Sequence, residues 1–65
     1  MSEINYFINM YESKSIRELL DAYEEETGIL QDIMGYDDYD DKGRQLSVQR
    51  DHIEALKILI DRKSK

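Results

Sequence analysis

The stretch Leu46 to Arg62 is the longest apolar-rich segment that neither Gly nor Pro interrupts, and it dictates what the rest of the chain must supply. Wound as a helix at about 100° per residue, it puts Leu46, Gln49, Ile53, Leu56 and Ile60 on one stripe. Val48, Ala55 and Leu59 form a second stripe beside it, and Arg50, Asp51, Glu54, Lys57, Asp61 and Arg62 fill the other side. The apolar arc is about 180° wide, whereas a single neighbouring helix covers about 100°. This helix therefore needs two neighbours.

The chain has only 65 residues to provide them, and a domain of that size buries about 60% of its unfolded surface. With no Cys there is no disulfide framework and no thiolate metal site, so stability must come from helix packing or from oligomerisation. The absence of Pro favours helices. No apolar run approaches the roughly 20 residues of a membrane span, and MSEINYF lacks the basic region and long apolar core of a signal peptide. The expectation is a single domain over residues 1–65, cytoplasmic, with no membrane partner and no cofactor.

Before the C-terminal helix, the pattern predicts two others. Ile4, Phe7, Ile8 and Tyr11 fall at i, i+3, i+4 and i+7 in a helix over about residues 2–12, which Ser2 can cap. So short a helix is marginal alone and should dock on the second stripe of the C-terminal helix. Ser15 and Glu18 have capping-box spacing, opening a helix over about residues 15–35. Ile16, Leu19, Leu20, Tyr23, Thr27, Leu30 and Met34 make its stripe, with Ile29 and Ile33 to one side as a second contact. The stripe keeps its phase through Gly28, which favours one helix over a break there, although Gly in a helix interior costs about 1 kcal/mol relative to Ala. Residues 35–43, rich in Gly and Asp, form the turn, its Asp side chains capping a last helix over about residues 42–63.

Charge is unevenly placed. Between Glu18 and Asp41 lie ten acids and no base, a local charge of −10; the five acids and nine bases elsewhere give +4, for −6 overall. Glu24, Glu25 and Asp32, with Asp37, Asp38, Asp40 and Asp41 of the turn, make an extended acidic flank. Such a flank keeps a protein soluble, and it also steers and docks a basic partner, including one whose natural ligand is nucleic acid. Direct nucleic-acid binding is not expected, because phosphate contacts need a basic patch.

Other constellations are weaker. Counting Asp38 as position 1 of a calcium loop puts Asp40 at 3, Lys42 at 5, Gly43 at 6 and Gln49 at 12, so a base and an amide stand where oxygen ligands belong and no metal site is expected. His52, the only histidine, has no second His and no Cys to join it, and reads as a structural or subunit-contact residue. Glu24, Glu25 and Glu26 are consecutive, point in different directions and read as surface. The five tyrosines read as core and rim residues.

Two partial resemblances bear on function. Ser47 and Asp51, spaced Ser-x-x-x-Asp on the second helix of a small hairpin, are similar to the signature of the short aspartyl-phosphate phosphatases of sporulation response regulators, though Arg50 stands where that family has an apolar residue. That resemblance implies Asp51 as the functional residue. Glu18-Leu19-Leu20-x-x-Tyr23 and Arg50-Asp51-x-Ile53-Glu54 resemble pieces of the small helical-hairpin inhibitors of sporulation histidine kinases, where only a tight turn separates them; here residues 24–49 intervene.

The combined expectation is an all-α fold: an antiparallel helical hairpin with a short N-terminal helix, completing a bundle by dimerisation, with Val48, His52, Ala55 and Leu59 near the subunit contact. Its function reads as that of a small acidic regulator or inhibitor, not an enzyme, binding another protein through Glu24, Glu25, Asp32, Asp37, Asp38, Asp40 and Asp41. The alternatives are the phosphatase acting through Asp51 and a structural, self-assembling helical protein.

Overall fold

The structure, a computed structural model, describes residues 3–37 and 40–64. It is all-helical: α1 spans Ile4–Tyr11, α2 Ile16–Gly35 and α3 Lys42–Lys63, with no strand among the described residues. α3 packs against both other helices, and contact between α1 and α2 is slight. The wide apolar arc thus acquires its two neighbours within one chain.

α2 starts as its sequence dictates. Ser15 Oγ accepts the Glu18 amide at 3.2 Å and the Glu18 carboxylate accepts the Ser15 amide at 3.2 Å, so the capping box is complete. The helix runs unbroken through Gly28, whose φ is not positive, and stops where Tyr36 turns extended. α1 starts differently. Glu3 at its N-cap gives no side-chain hydrogen bond, and the expected cap, Ser2, lies outside the described residues. Instead the Glu3 amide donates to Asp51 Oδ2 at 3.1 Å, so a carboxylate of α3 stands at the positive end of α1.

The turn also departs from expectation. Asp41 precedes α3 without making a side-chain cap, and Asp38 lies outside the described residues. α3 begins with the Gln45 amide on the Asp41 carbonyl at 2.9 Å, while Lys42 Nζ reaches back to the Tyr36 carbonyl at 2.5 Å. Lys42, a donor, thus ties the start of α3 to the carbonyl of Tyr36 after α2, and does not take the amide-accepting role expected of Asp. Lys42 and Gly43 lie within α3, so the positions counted as a calcium loop from Lys42 to Gln49 are helix.

The core consists of Phe7, Tyr11, Leu19, Ala55, Leu56 and Leu59. Ala55 and Leu59, from the second stripe of α3, are fully buried here, with Ile4, Ile8 and Val48 half-buried against the cluster. This stripe was expected to meet the first helix, with a subunit contact nearby; here α1 lies on it, with Phe7 and Tyr11 in the same cluster, and Val48 stays half-buried. From the first stripe, Gln49 and Leu56 are buried, whereas Leu46, Ile53 and Ile60 stay half-buried.

On α2 the buried arc lies to one side of the expected stripe. Leu19 is fully buried, and Ala22, Tyr23, Glu26, Thr27, Leu30 and Ile33 are half-buried, but Leu20 and Met34 are 51% and 57% exposed. Ile16 is exposed as well. Packing on α3 covers the Ala22 and Ile33 side and leaves the Leu20 side outward.

Candidate interaction surface

The acidic flank begins on the outer face of α2. Glu24, Glu25 and Asp32 are exposed, as are Asp37, Asp40 and Asp41 around the turn; Asp38 is outside the described residues. Glu18 and Asp21 extend the exposed acids toward the start of α2. The Ser15 backbone and side chain hold the Glu18 carboxyl below the usual carboxylate range, so this end of the flank is firmly ionised. Leu20, one turn before Glu24, and Met34, near the end of the same helix, are exposed too. The flank is therefore an acidic strip bordered by apolar side chains.

Glu26 is not part of it. Although it follows two surface acids, it is half-buried, and Gln49 Nε2 donates both to its carbonyl at 2.9 Å and to its carboxylate. The two hydrogens of one amide nitrogen thus tie α3 to α2 at backbone and side chain together. The reading of all three consecutive glutamates as surface fails at the third, which the 100° step per residue carries round to the side packed on α3. Gln49, the polar member of an otherwise apolar stripe, was the signal in the sequence.

His52 sits under α1. Its ring stacks on Phe7 with centroids 3.8 Å apart and planes at 28°, and its Nδ1 shares a hydrogen bond with the Tyr11 hydroxyl at 3.0 Å. The Tyr11 phenol titrates above its ordinary value because it is buried and because Glu26 and Glu25 oppose a negative oxygen there. His52 is thus an intramolecular clamp for α1, where a subunit contact was one expectation. Asp51, one residue earlier, is half-buried and already accepts the amide that starts α1. Ser47 is exposed a turn away, so Ser47 and Asp51 do share a face of α3. Among the described residues no pocket opens beside them, and no three His, Cys, Asp or Glu residues are grouped to hold a metal ion.

No family model matches the chain, and no curated protein or solved structure matches it either. Among the described residues no helix is long and apolar enough to cross a membrane.

Proposed function

We propose that the protein is a small non-enzymatic regulator that acts by binding another protein with a basic surface, through the acidic strip of α2 and the turn. The observation that carries this reading is the continuous exposure of Glu24, Glu25, Asp32, Asp37, Asp40 and Asp41, next to Leu20 and Met34. Acids alone solubilise; acids bordering exposed apolar side chains offer both steering and contact area to a basic amphipathic partner. The working form is an antiparallel hairpin of α2 and α3, with α1 laid on α3, which dimerises into a bundle. The ties from Lys42 to Tyr36 and from Gln49 to Glu26 support the antiparallel course.

The test uses the partner captured from the source cell by the full chain. Its association with the wild type should slow steeply as salt rises, since exposed charges are screened over about 8 Å at physiological ionic strength. Glu25→Lys with Asp40→Lys should weaken binding yet leave the chain at least as stable, because both reversals relieve repulsion within the run of ten acids. An association rate unchanged over a tenfold salt range, with unchanged affinity of the double variant, would leave the flank a solubilising surface.

A further inference from the structure

α1 is seated on a single element. Phe7 stacks on His52, Tyr11 shares a hydrogen bond with His52 Nδ1, and the Glu3 amide donates to Asp51 Oδ2, all on α3, while contact with α2 is slight. Residues 12–15 tether α1 to the rest of the chain. A seat built on α3 accepts α1 of another copy as well as its own, because every copy carries the same seat and the same helix.

The tether is able to become helix. It holds neither Gly nor Pro, none of its residues has a positive φ, and Glu12 already has helical angles. Ser15, at φ −68° and ψ 163°, departs from the helix by its ψ alone. With the tether wound, residues 4–35 form one helix. At 100° per residue, Ile4, Ile8 and Tyr11 of α1 and Ala22, Glu26 and Ile33 of α2 then fall within an arc of about 60°, so the packed faces of the two helices join into one. Leu20 and Glu24 lie on the opposite side. Winding the tether gives up the Ser15–Glu18 capping box, and in return the amides of residues 15–18 gain the carbonyls of residues 11–14 as intrahelical acceptors.

We propose that α1 is exchanged between two copies of the chain, each fused helix laying its Ile4–Tyr11 segment on α3 of the other copy. The exchange reuses the contacts that α1 makes within one chain, which is what makes swapping a low-cost route to a dimer. The inference rests on the dimerising reading above and gives it a contact; the acidic strip, with Leu20 and Met34, stays free for the basic partner. In the antiparallel hairpin the tethers of the two copies pass each other at the end away from the acidic turn. There, residues 12–21 and 61–63 together hold four acids and four bases, so no excess of like charge opposes the approach.

Sedimentation equilibrium of the full chain from low micromolar to near millimolar concentration should show a monomer giving way to a dimer. Ile16→Pro separates the two forms. At the first position of α2, Pro suits the capped monomer, whose Ser15 is already extended, but inside the fused helix it removes a hydrogen bond and clashes with the preceding turn. It should raise the dissociation constant by about a hundredfold or more and leave the circular dichroism of the dilute chain unchanged. Ser15→Ala, which removes the cap, should lower that constant by about tenfold. Because the chain has no Cys, the variant Glu3→Cys/Asp51→Cys places two thiols where the amide of one residue meets the side chain of the other. Oxidised when dilute, they should close within a chain; oxidised where the dimer prevails, they should join two chains on a non-reducing gel. Closure within single chains in the dimer, or a dimer as tight with Ile16→Pro as without it, overturns the exchange and leaves dimerisation through another face standing. A monomer at every concentration, for the wild type and Ser15→Ala alike, overturns the dimerising reading as well.

Discussion

Phe7→Ala tests what holds α1 in place. The helix has 8 residues, no side-chain cap and no acid in its first turn, so it has little helical stability of its own. Phe7 is 4% exposed and its ring lies on His52. Truncating a buried Phe to Ala costs about 3 to 5 kcal/mol, from lost transfer energy and the cavity left behind. A 65-residue domain has only about 3 to 10 kcal/mol in total. At about 2.1 cal/mol/K per residue of unfolding entropy, a loss of about 3 kcal/mol lowers the Tm by about 20 °C. The assay is a thermal melt followed by circular dichroism, paired with amide exchange by NMR, in which residues 4–11 should lose protection before α2 and α3 do. A double-mutant cycle with His52→Ala should return a coupling of about 1 kcal/mol for the stacked rings. A fall in Tm below about 5 °C, with the α1 amides still protected, would refute the view that Phe7 carries the docking.

Tyr11 is kept neutral by burial and by Glu26 and Glu25, so its folded pKa lies above the unfolded one. Its contribution is present below the unfolded value of about 10 and is lost as pH rises through the folded one; Tyr11→Phe should therefore flatten the fall of denaturant midpoint above about pH 9. Ser15→Ala should cost about 1 kcal/mol by removing the α2 cap, read as a urea midpoint. Glu18→Gln should remove a component of acid sensitivity: the folded carboxyl titrates below its unfolded value, so its stabilisation holds above that value and disappears as pH falls through the folded one. Gly28→Ala should stabilise by about 0.5 to 1 kcal/mol, raising the Tm by several degrees, because the position is helical and a Cβ there would meet nothing within 4 Å.

The all-helical character was legible because period and capping agree: Ser15 with Glu18, the phase-keeping stripe across Gly28 and the long arc of α3 all point the same way. The need of α3 for two neighbours followed from the width of its arc. What periodicity could not supply was direction. α2 has apolar residues on both sides of Leu19 and Leu30, with Leu20 and Met34 on one flank and Ala22 and Ile33 on the other. Which flank is buried is decided by how α3 lies against α2, a long-range arrangement with no local signal. The exposure of Glu24, Glu25, Asp32, Asp37, Asp40 and Asp41 was legible in the sequence, but not the inward turn of Glu26, which Gln49 holds across the seam. His52 and Asp51 were legible as residues without chemical partners, but their ties to Tyr11 and Glu3 are long-range contacts with no local signal.

α3 is the element on which both others depend, and it is the last of the three to be synthesised. A nascent chain thus carries α1 and α2 for as long as it takes to make α3, with Phe7, Tyr11, Leu19 and Ala22 lacking the surface that later hides them. Domains of this kind cannot fold element by element as they emerge, and exposed apolar segments in waiting chains are what drives aggregation. The acids from Glu18 to Asp41 are attached to the very segment that waits without a partner. Mutual repulsion among those acids opposes the association of such segments with one another.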